Sequence, residues 1–188
     1  LQNILVRKII SIMNKIFYEN LNKVNSEFLS DYIKILKNIF KNDKFIMGNN
    51  LSKFEYNFKK FNNSRYCLGV NSGLDALLLA LKSLNLEKNS EVILPSNCYI
   101  AAVFAVINAG LKPVFVEPNI NTYNIDPDLI SKKINSNTKA ILIVHLYGKP
   151  CDMDKILTIC KKKNLFLIED CAQSHGAKYK NQITGSFG

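Results

Sequence analysis

Metal and disulfide signals are missing from this 188-residue sequence. Its five cysteines occur singly, with no C-x-x-C pair among them: Cys67, Cys98, Cys151, Cys160 and Cys171. An odd number of scattered cysteines is typical neither of a zinc site nor of a disulfide framework. We therefore predict no metal site, and the reducing cytoplasm as the location.

Long apolar runs are missing as well. The most apolar stretch lies at the start, where Arg7 and Lys8 interrupt it and leave only residues 9–13. A membrane-spanning helix needs about 20 apolar residues, and the stretch does not have the form of a signal peptide. We expect no membrane association. Met13 opens a natural-looking start, so residues 1–13 are interpreted as an upstream or non-native segment.

Acidic residues are few, since 25 basic residues face 15 acidic ones and give a net charge of +10. Such a charge can indicate nucleic acid, a membrane surface or a phosphorylated ligand as partner. The basic residues are scattered, however, and their tight run at 161–163 ends a predicted helix, where it complements the helix dipole. We expect no nucleic-acid binding. No G-x-G-x-x-G follows a predicted strand, which argues against a dinucleotide-binding domain.

The first third of the sequence has apolar residues at helical spacing. They run from Phe28 to Phe40 and again from Leu51 to Phe61, with a break at residues 47–50 between them. This spacing predicts two amphipathic helices joined by a turn. We assign residues 14–62 to an N-terminal helical region.

From Tyr66 onward, short apolar runs alternate with helical patterns. The runs predict buried strands of a largely parallel sheet and lie at 91–95, 113–117, 140–146 and 165–170. Helical stripes run from Leu74 to Leu84 and from Met153 to Cys160, with Asp152 as the N-cap of the second. The predicted fold class is α/β, in which ligands bind at the carboxyl ends of the strands.

Three segments, one at a helix start and two at strand ends, carry polar residues. In the first, a glycine-containing turn leads into a helix, with Ser72 and Asp75 spaced as a capping box. The turn is either a phosphate cradle at the helix start or an ordinary cap. In the second, Asp170 either contacts a ligand or caps the next turn, with Glu169 in solvent. In the third, Tyr99 either offers a flat ring to a planar ligand or belongs to the core.

Taken in order, these segments resemble the DegT/DnrJ/EryC1/StrS family of sugar aminotransferases. The likeness covers residues 14–188 and is densest in NSGLDALLLAL, VILPSNCYIAAVFAVINAG, KPVFVEP, TYNIDPDLI, KAILIVHLYGKPCDMD and LIEDCAQSHGAKYKNQITGSFG. The resemblance implies a three-layer α/β/α large domain of the type I aspartate-aminotransferase fold, with pyridoxal 5'-phosphate as cofactor. Residues 63–188 would be an incomplete cofactor-binding domain that lacks its remainder and the small C-terminal domain.

The resemblance also implies roles for individual residues. Backbone amides at Gly73, Leu74 and Asp75 would hold the cofactor phosphate, although many members have Thr where this chain has Leu74. Tyr99 would stack on the pyridine ring. Asp170 would pair with the ring nitrogen, and Gln173 would hydrogen-bond near the 3-hydroxyl. His145 and His175 would support the site, because proton transfer in the family is assigned to the lysine that binds the cofactor covalently.

That lysine is expected beyond Gly188, and neither Lys178 nor Lys180 matches its position, so we expect this chain alone to be inactive. The complete enzyme would be a homodimer that uses glutamate to aminate a nucleotide-linked keto-sugar. PSNCYIA, VEP and HLYGKPCDMD favour a dTDP-linked 3-keto-6-deoxy sugar over a 4-keto sugar. Two alternatives stay open: a sugar dehydratase with histidine in place of the lysine, and a non-catalytic truncated remnant.

Overall fold

The computed structural model describes residues 19–42 and 45–188, and the chain divides into two compact units between Asn50 and Leu51. The described part of the first unit is helical. Helix α1 spans Leu21–Ser26 and is capped by the Asn20 side chain, which accepts a hydrogen bond from Lys23 N at 3.0 Å. Helix α2 spans Leu29–Asn42.

Helix α2 has the amphipathic pattern that the sequence predicts, but its apolar side chains are exposed. Tyr32, Leu36 and Phe40 are each more than half exposed. The predicted break follows, with Met47 at a φ of 48°. Helix α3 begins there and spans Asn49–Phe61, so that it passes from the first unit into the second. The predicted helical region thus contributes residues to both units, and the boundary at 62 stays a prediction.

The second unit is an α/β domain, as predicted. Its elements in chain order are the rest of α3, α4 (Gly73–Ser83), β1 (Glu91–Pro95), α5 (Ile100–Asn108), β2 (Lys112–Val116), α6 (Pro127–Lys133), β3 (Thr138–Val144), a 3₁₀ turn (Leu146–Gly148), α7 (Met153–Lys163), β4 (Phe166–Asp170), β5 (Lys178–Tyr179) and β6 (Gln182–Ile183). Strands β1 to β4 form one parallel sheet in the order β2-β1-β3-β4, and β5 pairs antiparallel with β6.

Helices cover both faces of the parallel sheet, so the core has two halves. One half joins alternate strand residues to α4 and α5, through side chains such as Leu81 and Ala105. The other joins the remaining strand residues to α6 and α7, through Ile130 and Ile156. Strands buried on both faces explain the continuous apolar runs from which the parallel sheet was predicted.

Strand β3 ends at Val144, two residues earlier than the apolar run predicted. His145 has a ψ of 80° and begins the 3₁₀ turn, and its ring accepts a hydrogen bond from Cys151 N. The apolar pattern continued because Leu146 still packs against the core. Among residues 19–42 and 45–188, no helix combines the length and apolar character that crossing a bilayer requires.

Candidate active site

Parallel pairing brings the carboxyl ends of the four strands to one edge of the sheet. Pro95 of β1 lies opposite Val116 of β2, and Val144 of β3 lies opposite Asp170 of β4. Helix α4 ends at Ser83 and a short connection leads into the amino end of β1, so α4 begins at the opposite, carboxyl edge. The starts of α4 and α5 therefore share this edge with the end of β4.

Side-chain alternation also puts Asp170 on the same face of the sheet as these helices. Ile168 packs in the core half formed with α4 and α5, whereas Leu167 packs in the half formed with α6 and α7. Because successive strand residues point to opposite faces, Asp170 shares the face of Ile168 and Glu169 shares that of Leu167. The two neighbouring carboxylates therefore lie on opposite faces of the sheet, Asp170 on the face of α4 and α5 and Glu169 on the face of α6 and α7.

At the start of α4, Ser72 and Asp75 pair as the predicted spacing requires, although Asp75 bonds the Ser72 hydroxyl and not its backbone amide as in a standard capping box. Ser72 Oγ accepts a hydrogen bond from Asp75 N at 3.1 Å and donates to Asp75 Oδ2 at 3.0 Å. The Asp75 amide, one of the three expected phosphate donors, is thus engaged by the cap. The amides of Gly73 and Leu74 have no partner within the helix, as at any helix start, and no described residue accepts from them.

Open space surrounds Gly73. A Cβ added at this glycine would meet nothing within 4 Å. A helix start with free amides and positive dipole attracts anions, and the open space lets a group approach the backbone closely. The residues at this turn therefore fit a phosphate, since the Ser72 cap leaves two amides available, and phosphate binding stays a prediction.

Asp170 fulfils the predicted turn cap and keeps one acceptor for a ligand. Its Oδ1 accepts a hydrogen bond from Ala172 N at 3.0 Å, which caps the turn after β4. Its backbone carbonyl accepts from His145 N at 3.2 Å and extends the β3–β4 ladder by one bond. No described residue donates to Oδ2. Asp170 therefore presents one fixed carboxylate with an unused acceptor at the edge of the sheet.

Tyr99 occupies the N-cap position of α5 and is 77% exposed, so the interpretation as a core residue is wrong. The preceding Cys98 packs against the core half formed with α4 and α5. Burial raises the pKa of the Cys98 thiol, and the nearby charge of Asp170 raises it further. The turn that carries Tyr99 therefore faces the end of β4, with its ring free to contact a ligand.

Gln173 is held by the 3₁₀ turn after β3. Its Oε1 accepts a hydrogen bond from Tyr147 N at 2.7 Å, and Tyr147 has a φ of 53°. Because the acceptor oxygen is occupied, the amide Nε2 is the part of the side chain that can contact a ligand. Gln173 thus offers a hydrogen-bond donor beside Asp170, which suits an oxygen atom on a ligand.

A pair that the sequence did not reveal lies beneath these residues. The interpretation in which Asp170 caps the turn also placed Glu169 in solvent. That part is wrong, because the Glu169 side chain is only 3% exposed. His145 Nε2 donates to Glu169 Oε2 at 3.0 Å, and His145 is fully buried. The two residues lie side by side because β3 and β4 pair in parallel with Val144 opposite Asp170. A polar residue near the end of each of two apolar runs was the signal available in the sequence.

Cys171 completes the one group of metal-ligating side chains found among the described residues, with ligand atoms of His145, Glu169 and Cys171 within 4.8 Å of one another. Burial raises the pKa of Cys171 to about 11, so its thiol stays protonated at neutral pH. The atoms of His145 and Glu169 are already hydrogen-bonded within the protein. The geometry is that of a packed polar cluster and not of an open metal site.

His175 lies in the turn after Gln173 and is exposed at the surface. Its ring meets that of Phe58 edge-on, with centroids 5.8 Å apart. This contact ties the turn to α3 within the second unit. Asn62, just after α3, donates to the carbonyl of Gly185 at 3.0 Å and ties a second segment to the same helix end.

The second unit is thus an α/β domain in which free backbone amides, an aromatic ring, a carboxylate and a side-chain amide lie at the carboxyl edge of a parallel sheet. The chain belongs to the DegT/DnrJ/EryC1/StrS aminotransferase family, whose sequence profile matches residues 28–188. This membership confirms the family predicted from the sequence motifs.

Individual relatives agree with this assignment. The chain is 45% identical over 169 residues to dTDP-3-amino-3,6-dideoxy-alpha-D-galactopyranose transaminase from Aneurinibacillus thermoaerophilus, covering 90% of this chain and 47% of the relative. Among solved structures, DesV from S. venezuelae superimposes with a TM-score of 0.85 at 37% identity, over 88% of this chain and 45% of DesV.

A dehydratase has the same fold. GDP-4-keto-6-deoxy-D-mannose-3-dehydratase from E. coli, solved with bound hydrated PLP, superimposes with a TM-score of 0.79 at 33% identity, over 83% of this chain and 42% of the dehydratase. These superpositions confirm the predicted aminotransferase fold. The chain spans about half the length of the relatives that it matches.

Proposed function

We propose that the complete protein is a pyridoxal-phosphate-dependent aminotransferase that aminates a nucleotide-linked keto-sugar. The substrate that we favour is a dTDP-linked 3-keto-6-deoxyhexose, with glutamate as amino donor. The A. thermoaerophilus transaminase supports this choice through its 45% identity. We further propose that the complete protein is a cytoplasmic homodimer, that residues 63–188 form part of its cofactor-binding domain, and that this chain alone does not turn over.

The carboxylate of Asp170 is the observation that carries the proposal. It lies at the end of β4, is fixed by the Ala172 amide, and keeps its Oδ2 free. A carboxylate beside a pyridine nitrogen favours the protonated ring, because the negative charge stabilises the positive one. Asp170 would therefore hold a proton on the ring nitrogen. When bound, the cofactor supplies an electron sink for breaking bonds at the substrate carbon.

The other residues at this edge would bind and orient the cofactor. Amides at Gly73 and Leu74 would donate to its phosphate, while Asp75 contributes through the cap that orders the turn. Tyr99 would cover one face of the ring, and Gln173 Nε2 would donate to its 3-oxygen. The lysine that binds the cofactor would come from the sequence after Gly188.

Replacing Asp170 by Asn in the complete protein tests the proposal. The variant keeps the size and the turn cap but removes the charge, so we expect kcat to fall by about 100-fold or more. The melting temperature should change little, because Asp170 bonds the turn through one oxygen that Asn also has. Asp128→Asn is the matched control, since Asp128 is an exposed carboxylate on α6. Equal kcat in both variants would refute the role of Asp170.

A sugar dehydratase is the second candidate, favoured by the likeness to the E. coli enzyme. The two activities differ in their products. Incubating the complete protein with glutamate and a dTDP-linked 3-keto or 4-keto sugar, followed by mass spectrometry, distinguishes an amino sugar from a dehydrated one. Amination of the 4-keto sugar alone would refute the substrate preference, and dehydration without amination would refute the aminotransferase.

A further inference from the structure

Glu169 binds a segment that is distant in sequence. Its Oε1 accepts hydrogen bonds from Phe187 N at 2.7 Å and Gly188 N at 2.8 Å. Its Oε2 accepts from Gly185 N at 2.9 Å and from His145 Nε2 at 3.0 Å. One buried carboxylate thus holds three backbone amides of residues 185–188, which makes this segment dependent on a single side chain.

His145 fixes the orientation of that carboxylate. The ring Nδ1 accepts a hydrogen bond from Cys151 N at 3.0 Å. A backbone amide is always a donor, so Nδ1 carries the lone pair, and the ring proton resides on Nε2, which donates to Glu169. Burial opposes the charge of Glu169, but the hydrogen bonds from His145 and the three amides outweigh it and lower the pKa of the carboxyl group.

The bound segment lies tightly against β4, the last strand in the order of the sheet formed by the described residues. A Cβ added at Gly188 would come within 2.7 Å of the carbonyl oxygen of Leu167, so the backbone approaches the strand more closely than a side chain would allow. Gly185 has a φ of 83°, and its carbonyl accepts from Asn62 Nδ2. Residues 185–188 therefore have one defined path along Leu167 and Glu169 of β4.

We propose that Glu169, oriented by His145, is a positioning residue that holds residues 185–188 against β4 and so fixes their place relative to Asp170. The inference deepens the proposed function, on which its link to catalysis rests. Because Glu169 and Asp170 point to opposite faces of β4, one strand end fixes both the ring-binding carboxylate and this segment. A shift of the segment would change the site without removing any group that contacts the cofactor.

The first test is hydrogen–deuterium exchange of the complete protein, with Glu169→Gln compared with wild type. Glutamine keeps the size but loses the charge and one acceptor, so some donors to Glu169 lose their partner. We expect the amides of residues 185–188 to exchange about tenfold faster or more, while peptides from β1 and β3 stay unchanged. Glu87→Gln is the matched control, since Glu87 is an exposed carboxylate outside this cluster. Unchanged exchange at 185–188, or equal acceleration in β1 and β3, overturns the proposal.

A second readout separates positioning from a structural role. In Glu169→Gln, kcat should fall by about 10²-fold, while KM for the keto-sugar stays within about twofold, since misplacement by about 1 Å has such an effect. If that variant does not fold, Glu169→Asp keeps the charge with a shorter reach and should show a smaller, still local, change. Wild-type kcat despite faster local exchange would overturn the positioning role. The exchange result does not depend on the cofactor. It therefore tests the role of Glu169 independently of the Asp170→Asn result, which tests the proposed function.

Discussion

The two ends of the parallel sheet each contain a buried glutamate, but the partners of the two residues differ. Glu91 begins β1 and bonds to side chains, with Lys112 Nζ at 2.9 Å and Asn135 Nδ2 at 2.7 Å. Glu169, near the end of β4, bonds to His145 and to backbone amides of residues 185–188. At the amino edge, Glu91 is bonded to side chains of neighbouring segments, whereas at the carboxyl edge Glu169 holds the backbone of residues 185–188.

This difference shows how structural carboxylates can be distinguished from groups that are available to a ligand. Both glutamates have all-protein partners and lowered pKa values, so a buried carboxylate with a shifted pKa does not by itself mark the reactive groups. The groups that remain available are beside Glu169 and not beside Glu91: Asp170 Oδ2, the Gln173 amide and the exposed Tyr99 ring. Unused polar groups on a fixed backbone identify the ligand side.

The largest expected effect comes from replacing each glutamate by Leu. Glu169→Leu leaves the buried His145 and three amides without an acceptor, so we expect the free energy of unfolding to fall by about 3–5 kcal/mol. Glu91→Leu should cost about 1–2 kcal/mol, because Lys112 is 63% exposed and can turn to water. Urea unfolding of the complete protein measures both. Equal losses would mean that the two edges contribute alike.

The loss of stability at acid pH should show a second, smaller effect of the Glu169 carboxylate. The pKa of Glu169 is lowered from its ordinary value of 4.5, so the unfolded chain takes up a proton at a higher pH than the folded one. The stabilisation is complete above pH 4.5, declines as the pH falls below it, and is lost below the folded pKa.

We therefore expect the unfolding free energy of wild type to fall more steeply below pH 4.5 than that of Glu169→Gln. His145 and Cys171 also face this carboxylate, and neither is removed in the variant. Urea unfolding between about pH 3 and about pH 6 gives the slopes, a range that brackets the ordinary Glu pKa of 4.5. Glu91→Gln is the comparison, since hydrogen bonds from Lys112 and Asn135 lower the pKa of Glu91 too. Parallel curves for wild type and Glu169→Gln would contradict the expectation.

Much of this architecture was predictable from the sequence. The four apolar runs gave the strands to within two residues, because strands buried on both faces need uninterrupted apolar residues. The N-caps of α4 and α7 were predictable because they depend on residues three positions apart. The Glu169–His145 pair was not, since it depends on which strands are neighbours and in which register.

The site residues show the same division. Tyr99 and Asp170 could be named from their places after apolar strands, but the sequence left open whether Tyr99 is buried and whether Asp170 binds a ligand or caps a turn. The structure shows Tyr99 exposed and Asp170 capping through one oxygen only. For Gln173, the acceptor Oε1 is occupied by the backbone amide of Tyr147, a donor 26 residues away in the sequence. Such long-range contacts set which atom of a side chain remains available, and local patterns do not contain that information.

The smallest effect on stability is expected at Gly73, where alanine would test the phosphate cradle directly. Because a Cβ there meets nothing within 4 Å, Gly73→Ala should change the unfolding free energy by about 0.5 kcal/mol or less. The added methyl group would nevertheless obstruct close approach to the amides, so we expect pyridoxal phosphate to bind about tenfold more weakly, measured by fluorescence titration. Gly110→Ala at the amino edge is the opposite case. Gly110 has a φ of 80°, so alanine should cost about 1 kcal/mol of stability and leave cofactor affinity unchanged. If Gly73→Ala binds the cofactor as wild type does, the start of α4 is an ordinary cap and the phosphate is held elsewhere.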